Sequence, residues 1–250
     1  MTKQSQHFDW LFEKYCQEYG DKGSMHYKRE LILKQIVSLL KLRYNGKCSI
    51  LDVACGPGEN SVHLAKLLPN ASFTGIDISS QNISAYEALM GSSNAIVCDF
   101  TQEINFIQKF DVVLVLGGLH HMVDGLPQVF DNISELLNDQ GLLIFVEPNK
   151  RFMDPIRRLW YRFDKSFNEE EESALDEREL YNDFGVNRFL KQSATYFGSI
   201  GFFLILQSMI LRTPRIVKKV LYKPLTKFDK AVRFLPDGFL AAYICVWVKT

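Results

Sequence analysis

The 250-residue chain has no net charge, with 29 lysines and arginines against 29 aspartates and glutamates. A surface dedicated to nucleic acid carries a basic excess, so no nucleic-acid partner is expected. No apolar run approaches the ~18 residues of a membrane-spanning helix. The first ten residues, Met1 to Trp10, are polar and lack the apolar core of a leader, so a cytoplasmic location is expected. The five cysteines, Cys16, Cys48, Cys55, Cys98 and Cys245, are odd in number and scattered, and no Cys/His pair has zinc spacing. They read as free thiols in a reducing compartment, and no metal centre is expected. There is no internal repeat and no low-complexity tract beyond the acidic run Glu169 to Glu172. Hydrophobic residues at 47% against charged residues at 23% leave material for a sizeable core.

What is present is organised around residues 50–60, Ile-Leu-Asp-Val-Ala-Cys-Gly-Pro-Gly-Glu-Asn. Ser49 to Val53 reads as a buried strand. An amphipathic helix follows, from about Asn60 to Leu68, with Val62, Leu64, Ala65 and Leu68 on one side. Between them, Gly56 and Gly58 let backbone approach a ligand where a Cβ would collide. The helix start adds unsatisfied N–H groups. Strand, glycine loop and helix together make the first half of a Rossmann-like unit. A dinucleotide fingerprint, Gly-x-Gly-x-x-Gly, requires a third glycine, and Ser61 stands in its place. Asp77, closing the next apolar run, suits ribose hydroxyls whichever nucleoside is bound.

The pattern Asp52-Val-Ala-Cys-Gly56-Pro-Gly58 followed by Gly75-Ile-Asp77 resembles the S-adenosyl-L-methionine (SAM) site of class I, Rossmann-like methyltransferases of the small-molecule type. The family more often has glycine where this chain has Ala54. SAM carries a sulfonium and tolerates an acidic rim, whereas a pyrophosphate needs an anion cradle. The resemblance implies a three-layer α/β fold with a doubly wound seven-stranded sheet in the order 3-2-1-4-5-7-6, mostly parallel with the last strand antiparallel. It implies SAM as cofactor, with S-adenosyl-L-homocysteine as product. Cofactor contacts are implied for Asp52, Ala54, Gly56, Gly58 and Asn60 in the loop, for Asp77 at the ribose and for Ile78 against the adenine. Asp99 is implied at the adenine amino group with Phe100 beside the ring, and Leu116 and Gly117 beneath the sulfonium.

In chain order, residues 1–45 are expected to form a helical lid, its hinge at Gly20 and Gly23, and 46–250 the methyltransferase domain with insertions at about 150–187 and 212–237. Tyr15, Tyr19 and Tyr27 are expected to face the acceptor. A regular helix is expected over 28–43, then a helix from Ser80 to Met90, strands at Ala95–Cys98 and Phe110–Leu116, a helix at Leu126–Leu137 and a strand at Gly141–Val146. Beyond the basic-aromatic segment Lys150, Arg151, Arg157, Arg158, Trp160, Tyr161 and Arg162, Arg188 to Ile200 reads as a helix. Phe202–Leu211 and Phe239–Val248 read as the last two strands. Residues 212–233 hold eight basic side chains against one acid, Asp229. There Val217, Val220, Leu221, Leu225, Phe228 and Val232 recur near helical spacing, interrupted at Pro224. This segment is either a basic amphipathic helix making peripheral contact with an anionic membrane or an insertion packing on strand seven.

Three residues are candidates for proton chemistry: His120 and His121 after strand four, and Glu147 at the end of strand five. A histidine titrates near neutrality and can take a proton from a hydroxyl or amine. Strand four ends Leu116-Gly117-Gly118-Leu119, without the Asn/Asp-Pro-Pro-aromatic signature of amino-methylating DNA and protein enzymes, and no Pro-Cys pair for cytosine C5 methylation is present. The expectation is therefore a SAM-dependent methyltransferase acting on an O, N or C atom of a small-molecule acceptor: a natural product, a sugar or a lipid-linked intermediate. The alternative is a SAM-binding regulatory or partner subunit without catalysis.

Overall fold

A computed structural model describes residues 12, 20–91, 94–104, 108–154, 174–207 and 213–250. Tyr15, Tyr19, Arg157, Arg158, Trp160, Tyr161, Arg162 and the acidic run lie outside these residues. The strands follow the order β3-β2-β1-β4-β5-β7-β6 of a seven-stranded sheet, as expected for this fold class. They are β1 (Ser49–Val53), β2 (Ser72–Asp77), β3 (Ala95–Val97), β4 (Phe110–Leu116), β5 (Leu137–Pro148), β6 (Phe189–Phe197) and β7 (Ala242–Lys249). The chain divides into two compact units: Met1–Cys98 with Phe197–Phe234, and Asp99–Tyr196 with Leu235–Thr250.

In the first unit β1 and β2 pair in parallel, Asp52 opposite Gly75, and β2 pairs with β3 in the same sense. Four of the five residues of β1 are buried, as a strand covered on both faces requires. The crossovers between strands are the helices α3 (Glu59–Leu67) and α4 (Ser80–Met90). Ser79 caps α4 by accepting from the Asn82 N–H. Before β1 the chain is helical from Lys22 to Tyr44: α1 (Lys22–Lys28), a π turn (Arg29–Leu33) and α2 (Lys34–Tyr44). The helix thus begins six residues earlier than the apolar spacing indicated. Asp21 supplies the reason, accepting from the N–H groups of Gly23 (2.7 Å) and Ser24 (3.3 Å). Gly23 is a first-turn helical residue and not a hinge.

A fourth long helix, α7 (Arg215–Ala231), lies along α1 and runs through Pro224 without breaking. Its buried residues are Lys218, Tyr222, Thr226 and Asp229, a polar line at helical spacing. Lys218 pairs with Asp21 at 2.5 Å and Lys230 with Glu30 at 2.6 Å. Asp229, with no exposed surface, accepts from the Tyr27 hydroxyl (2.5 Å), the N–H groups of Ser199 (3.0 Å), Gly201 (3.3 Å) and Phe202 (3.0 Å), and the Ser199 hydroxyl. A buried carboxylate is tolerated only when so provided with donors. Tyr27 is consequently a core residue, its phenol pushed well up by burial and by Asp229, and not a lining residue for an acceptor.

Those same bonds overturn two expectations. Phe202–Leu206, read as the start of a strand, is a π turn whose leading N–H groups end on Asp229. A short apolar run does not distinguish strand from buried helix by itself. Conversely, Phe189–Phe197, expected within a helix, is β6. Only its two end residues are buried, so the strand carries no alternation to be read.

In the second unit β4 and β5 pair in parallel, Val113 opposite Leu143, and β5 pairs with β7 antiparallel, Phe145 opposite Cys245. The reversal of β7 is as expected. Trp247 sits fully buried among Phe145 (4.9 Å between ring centroids), Tyr181 (5.2 Å), Phe130 (5.7 Å) and Phe189 (5.8 Å). The helix α5 (Leu126–Leu136), with Pro127 in its first turn, covers β4 and β5 with Val129, Phe130, Ile133 and Leu136, and the single turn α6 (Glu177–Leu180) precedes β6. The four described cysteines, Cys48, Cys55, Cys98 and Cys245, are free thiols.

Candidate functional site

The first unit builds a loop at the carboxyl end of β1. Ala54, Gly56 and Gly58 all adopt positive φ, at 54°, 56° and 92°. The left-handed Ala54 explains why glycine is the commoner residue at its position in the resembling family. The two glycines are required for different reasons. A Cβ on Gly58 would stand 2.9 Å from Tyr86 Cδ2, so this glycine admits the packing of α4. A Cβ on Gly56 would meet nothing within 4 Å, so the room at Gly56 is open space beside the loop.

Two carboxylates hold the loop in shape. Asp77 Oδ2 accepts from the Gly56 N–H (2.9 Å), and Oδ1 accepts from the Ser79 N–H (2.9 Å) and the Asn82 side chain (3.1 Å). The residue expected to hold ribose thus also ties the loop to the start of α4. Asp52 is almost fully buried, and its Oδ2 accepts from the Ser61 hydroxyl at 2.5 Å. Burial pushes the Asp52 carboxyl up to about 7, with nearby Asp77 adding to the rise and the Ser61 bond opposing it. Ser61 went unremarked as a functional residue, although its place where a third glycine would stand was the available signal. Helix α3 begins at Gly58 with no side-chain cap, so first-turn N–H groups remain available. In that turn Asn60 Oδ1 is buried with no hydrogen-bond partner among the described residues. Ile78 is half-buried.

The second unit gathers the remaining candidates. Gly117 takes φ 77° and donates its N–H to the Val146 carbonyl (2.8 Å), turning the chain sharply at the end of β4. A single 3₁₀ turn, Leu119–His121, follows. Glu147 is buried on β5 and uses both carboxylate oxygens. Oε1 accepts from the N–H groups of Gly118 (3.0 Å) and Leu119 (2.7 Å), and Oε2 lies 2.6 Å from His120 Nδ1. A carboxylate only accepts, so Nδ1–H donates, and in the neutral ring the lone pair is on Nε2. The His121 ring lies 3.9 Å from that of His120, tilted by 41°. Asp99 Oδ1 accepts from the N–H (3.0 Å) and hydroxyl (2.6 Å) of Thr101, and Phe100 is buried, its carbonyl accepting from Asn132. Leu116 and Gly117 are half-buried. Among the described residues, no group of three or more His, Cys, Asp or Glu is placed to hold a metal ion.

The strand order is that of the class I methyltransferase fold, and residues 51–143, which hold the glycine loop after β1 and the acid ending β2, match the methyltransferase domain family model. A magnesium protoporphyrin IX methyltransferase structure similar to this chain in fold, at TM-score 0.60 and 16% identity, holds SAM. The chain is similar to the malonyl-[acyl-carrier protein] O-methyltransferase of Bacillus cereus, 23% identical over 146 residues, covering 57% of this chain and 54% of that protein. It is similar also to the trans-aconitate 2-methyltransferase of Escherichia coli, 24% identical over 125 residues, covering 50% and 49%. The chain therefore spans about half the length of these curated relatives. In fold it is similar to the magnesium protoporphyrin IX methyltransferase of Synechocystis with bound S-adenosylhomocysteine, at TM-score 0.65, 16% identity and 98% of both chains covered.

The loop fits the cofactor on its own evidence. It has open space at Gly56, an uncapped helix start and the unpartnered Asn60 oxygen, which is a ready acceptor for an ammonium.

Proposed function

We propose that the protein transfers a methyl group from SAM to an O, N or C atom of a small-molecule acceptor, with His120 as the proton acceptor and Glu147 as the residue that positions it. The observation carrying this reading is the three-donor arrangement on Glu147. It sets Nδ1 as a donor, so that the neutral ring carries its lone pair on Nε2, and it ties the ring to the turn after β4. When bound, SAM supplies an activated methyl group on a sulfonium. The loop N–H groups, Asp52, Ala54 and Asn60 would hold its methionine part, Asp77 would accept from the ribose, and Ile78, Asp99, Phe100, Leu116 and Gly117 are proposed as its further contacts. His120 Nε2 takes the acceptor's proton, and Glu147 stabilises the imidazolium so formed. Positioning supplies much of the remaining acceleration. The His121 ring, 3.9 Å away and tilted by 41°, bounds that of His120 on one side.

The names of the relatives, with malonyl-[acyl-carrier protein] and trans-aconitate as what they methylate, support a small-molecule acceptor. Calorimetry with SAM and S-adenosylhomocysteine tests the first half of the reading: both bind the folded chain, and preference for NAD would refute it. Labelled SAM offered with phenols, amines, carboxylic acids, sugars and lipid quinones tests the second. Turnover lost in His120→Ala with SAM affinity kept is expected. SAM binding with no methyl transfer to any acceptor class would favour a partner subunit.

A further inference from the structure

The long helix α7 (Arg215–Ala231) is mounted in an unusual sense. Amphipathic helices pack their apolar stripe inward and leave polar residues to water. Here the inward line is Lys218, Tyr222, Thr226 and Asp229, held by the Asp21 ion pair and by the donors around Asp229. On a helical wheel of 100° per residue the apolar residues fall on the other side. Ile216, Val220 and Phe228 are 67%, 64% and 51% exposed, Val217 and Leu221 are half-buried between them, and Phe234 just beyond the helix is 82% exposed. Lys219 and Lys223 lie on one border of this apolar arc and Lys227 between Ile216 and Val220; all three are exposed and make no ion pair among the described residues. The helix contains one acid, Asp229, and it is buried.

We propose that this outer face of α7 is a docking surface for an anionic lipid bilayer. The helix would lie in the interface, with Ile216, Val220 and Phe228 entering the acyl boundary and the three lysines meeting phosphate and carboxylate headgroups. An apolar arc bordered by cations, on a helix too polar to span, is the chemistry of an interfacial helix. No described helix is long and apolar enough to cross a membrane. A second copy of the chain is a poor occupant. In a two-fold pairing of this face the helix offers no exposed acid to meet the partner's lysines. An anionic bilayer supplies both the countercharge and the apolar depth. The inference is independent of methyl transfer and of its acceptor.

The test is co-sedimentation of the full chain with phosphatidylserine-containing and pure phosphatidylcholine vesicles, at low and high salt. Binding to the anionic vesicles at low salt, weakened at high salt, is expected. Each lysine brought to such a surface contributes about fivefold in affinity, so Lys219→Gln, Lys223→Gln and Lys227→Gln together should weaken binding on the order of a hundredfold. The triple variant Ile216→Ser, Val220→Ser, Phe228→Ser should abolish insertion while leaving the melting temperature unchanged, because none of these side chains is packed inward. Folded chain that stays in the supernatant with anionic vesicles at low salt overturns the proposal. Equal binding to both vesicle types does so too. A dimer in analytical ultracentrifugation that the serine variant dissociates would assign the face to a second copy instead.

Discussion

Glu147→Gln isolates the arrangement that the proposed chemistry depends on. The amide is isosteric with the carboxylate but offers one acceptor end and one donor end. Placed with its oxygen toward the N–H groups of Gly118 and Leu119, it keeps both bonds and turns its NH₂ toward His120 Nδ1. Placed the other way, it sets a donor against two buried N–H donors, at about 1–3 kcal/mol for each group left unpaired. The first orientation wins. His120 Nδ1 must then accept, the ring proton moves to Nε2, and the lone pair needed to take a proton is gone. General base catalysis is worth roughly 10²–10⁴ in rate, and turnover should fall by that order with SAM affinity retained. Three bonds to a charged acceptor become bonds to an amide, each weaker by about 1 kcal/mol, so unfolding free energy should drop by about 2–3 kcal/mol. Long-range ¹⁵N–¹H correlation spectra of the histidine rings read the tautomer directly and need no knowledge of the acceptor. The wild-type spectrum should show His120 protonated on Nδ1 and the variant on Nε2. Wild-type protein protonated on Nε2, or a variant with unaltered turnover, would refute the reasoning.

Ala54→Gly relieves a left-handed residue worth about 1–2 kcal/mol and costs about 0.4–1 kcal/mol in unfolded-chain entropy. Urea denaturation should therefore show a net gain of about 0.5–1 kcal/mol; a loss would mean that Ala54 makes contacts that outweigh its backbone strain. Asp52, held at about 7 when folded against 3.8 unfolded, binds its proton more tightly in the folded state. Its contribution to stability is thus complete below pH 4, declines by about 1.4 kcal/mol per pH unit from about 4 to about 7, and is flat above. Asp52→Asn should remove that slope, which the difference between the two stability–pH curves measures; parallel curves would place the Asp52 titration elsewhere.

The local elements around the loop were legible in the sequence because their signals are local. Ser49–Val53, Ser80–Met90 and Phe110–Leu116 appear with the bounds read from apolar runs, a serine cap and flanking glycines. The glycine spacing and the acids at 52 and 77 marked the left-handed loop after β1 for the same reason. What the sequence withheld depended on partners far along the chain. Tyr27 looked like an aromatic lid residue until Asp229, 202 positions away, took its hydroxyl into the core. That carboxylate also turned Phe202–Leu206 from an apolar run into a helical turn. Periodicity showed that α7 is amphipathic, but not that its polar side faces inward. That choice rests on a buried ion pair and a buried carboxylate, whose worth exists only once the donors are assembled. His120 and His121 were equivalent in sequence. The backbone turn after Gly117 and the register of β5 brought Glu147 to His120 Nδ1, so tertiary structure alone decided which ring nitrogen of His120 donates to that carboxylate.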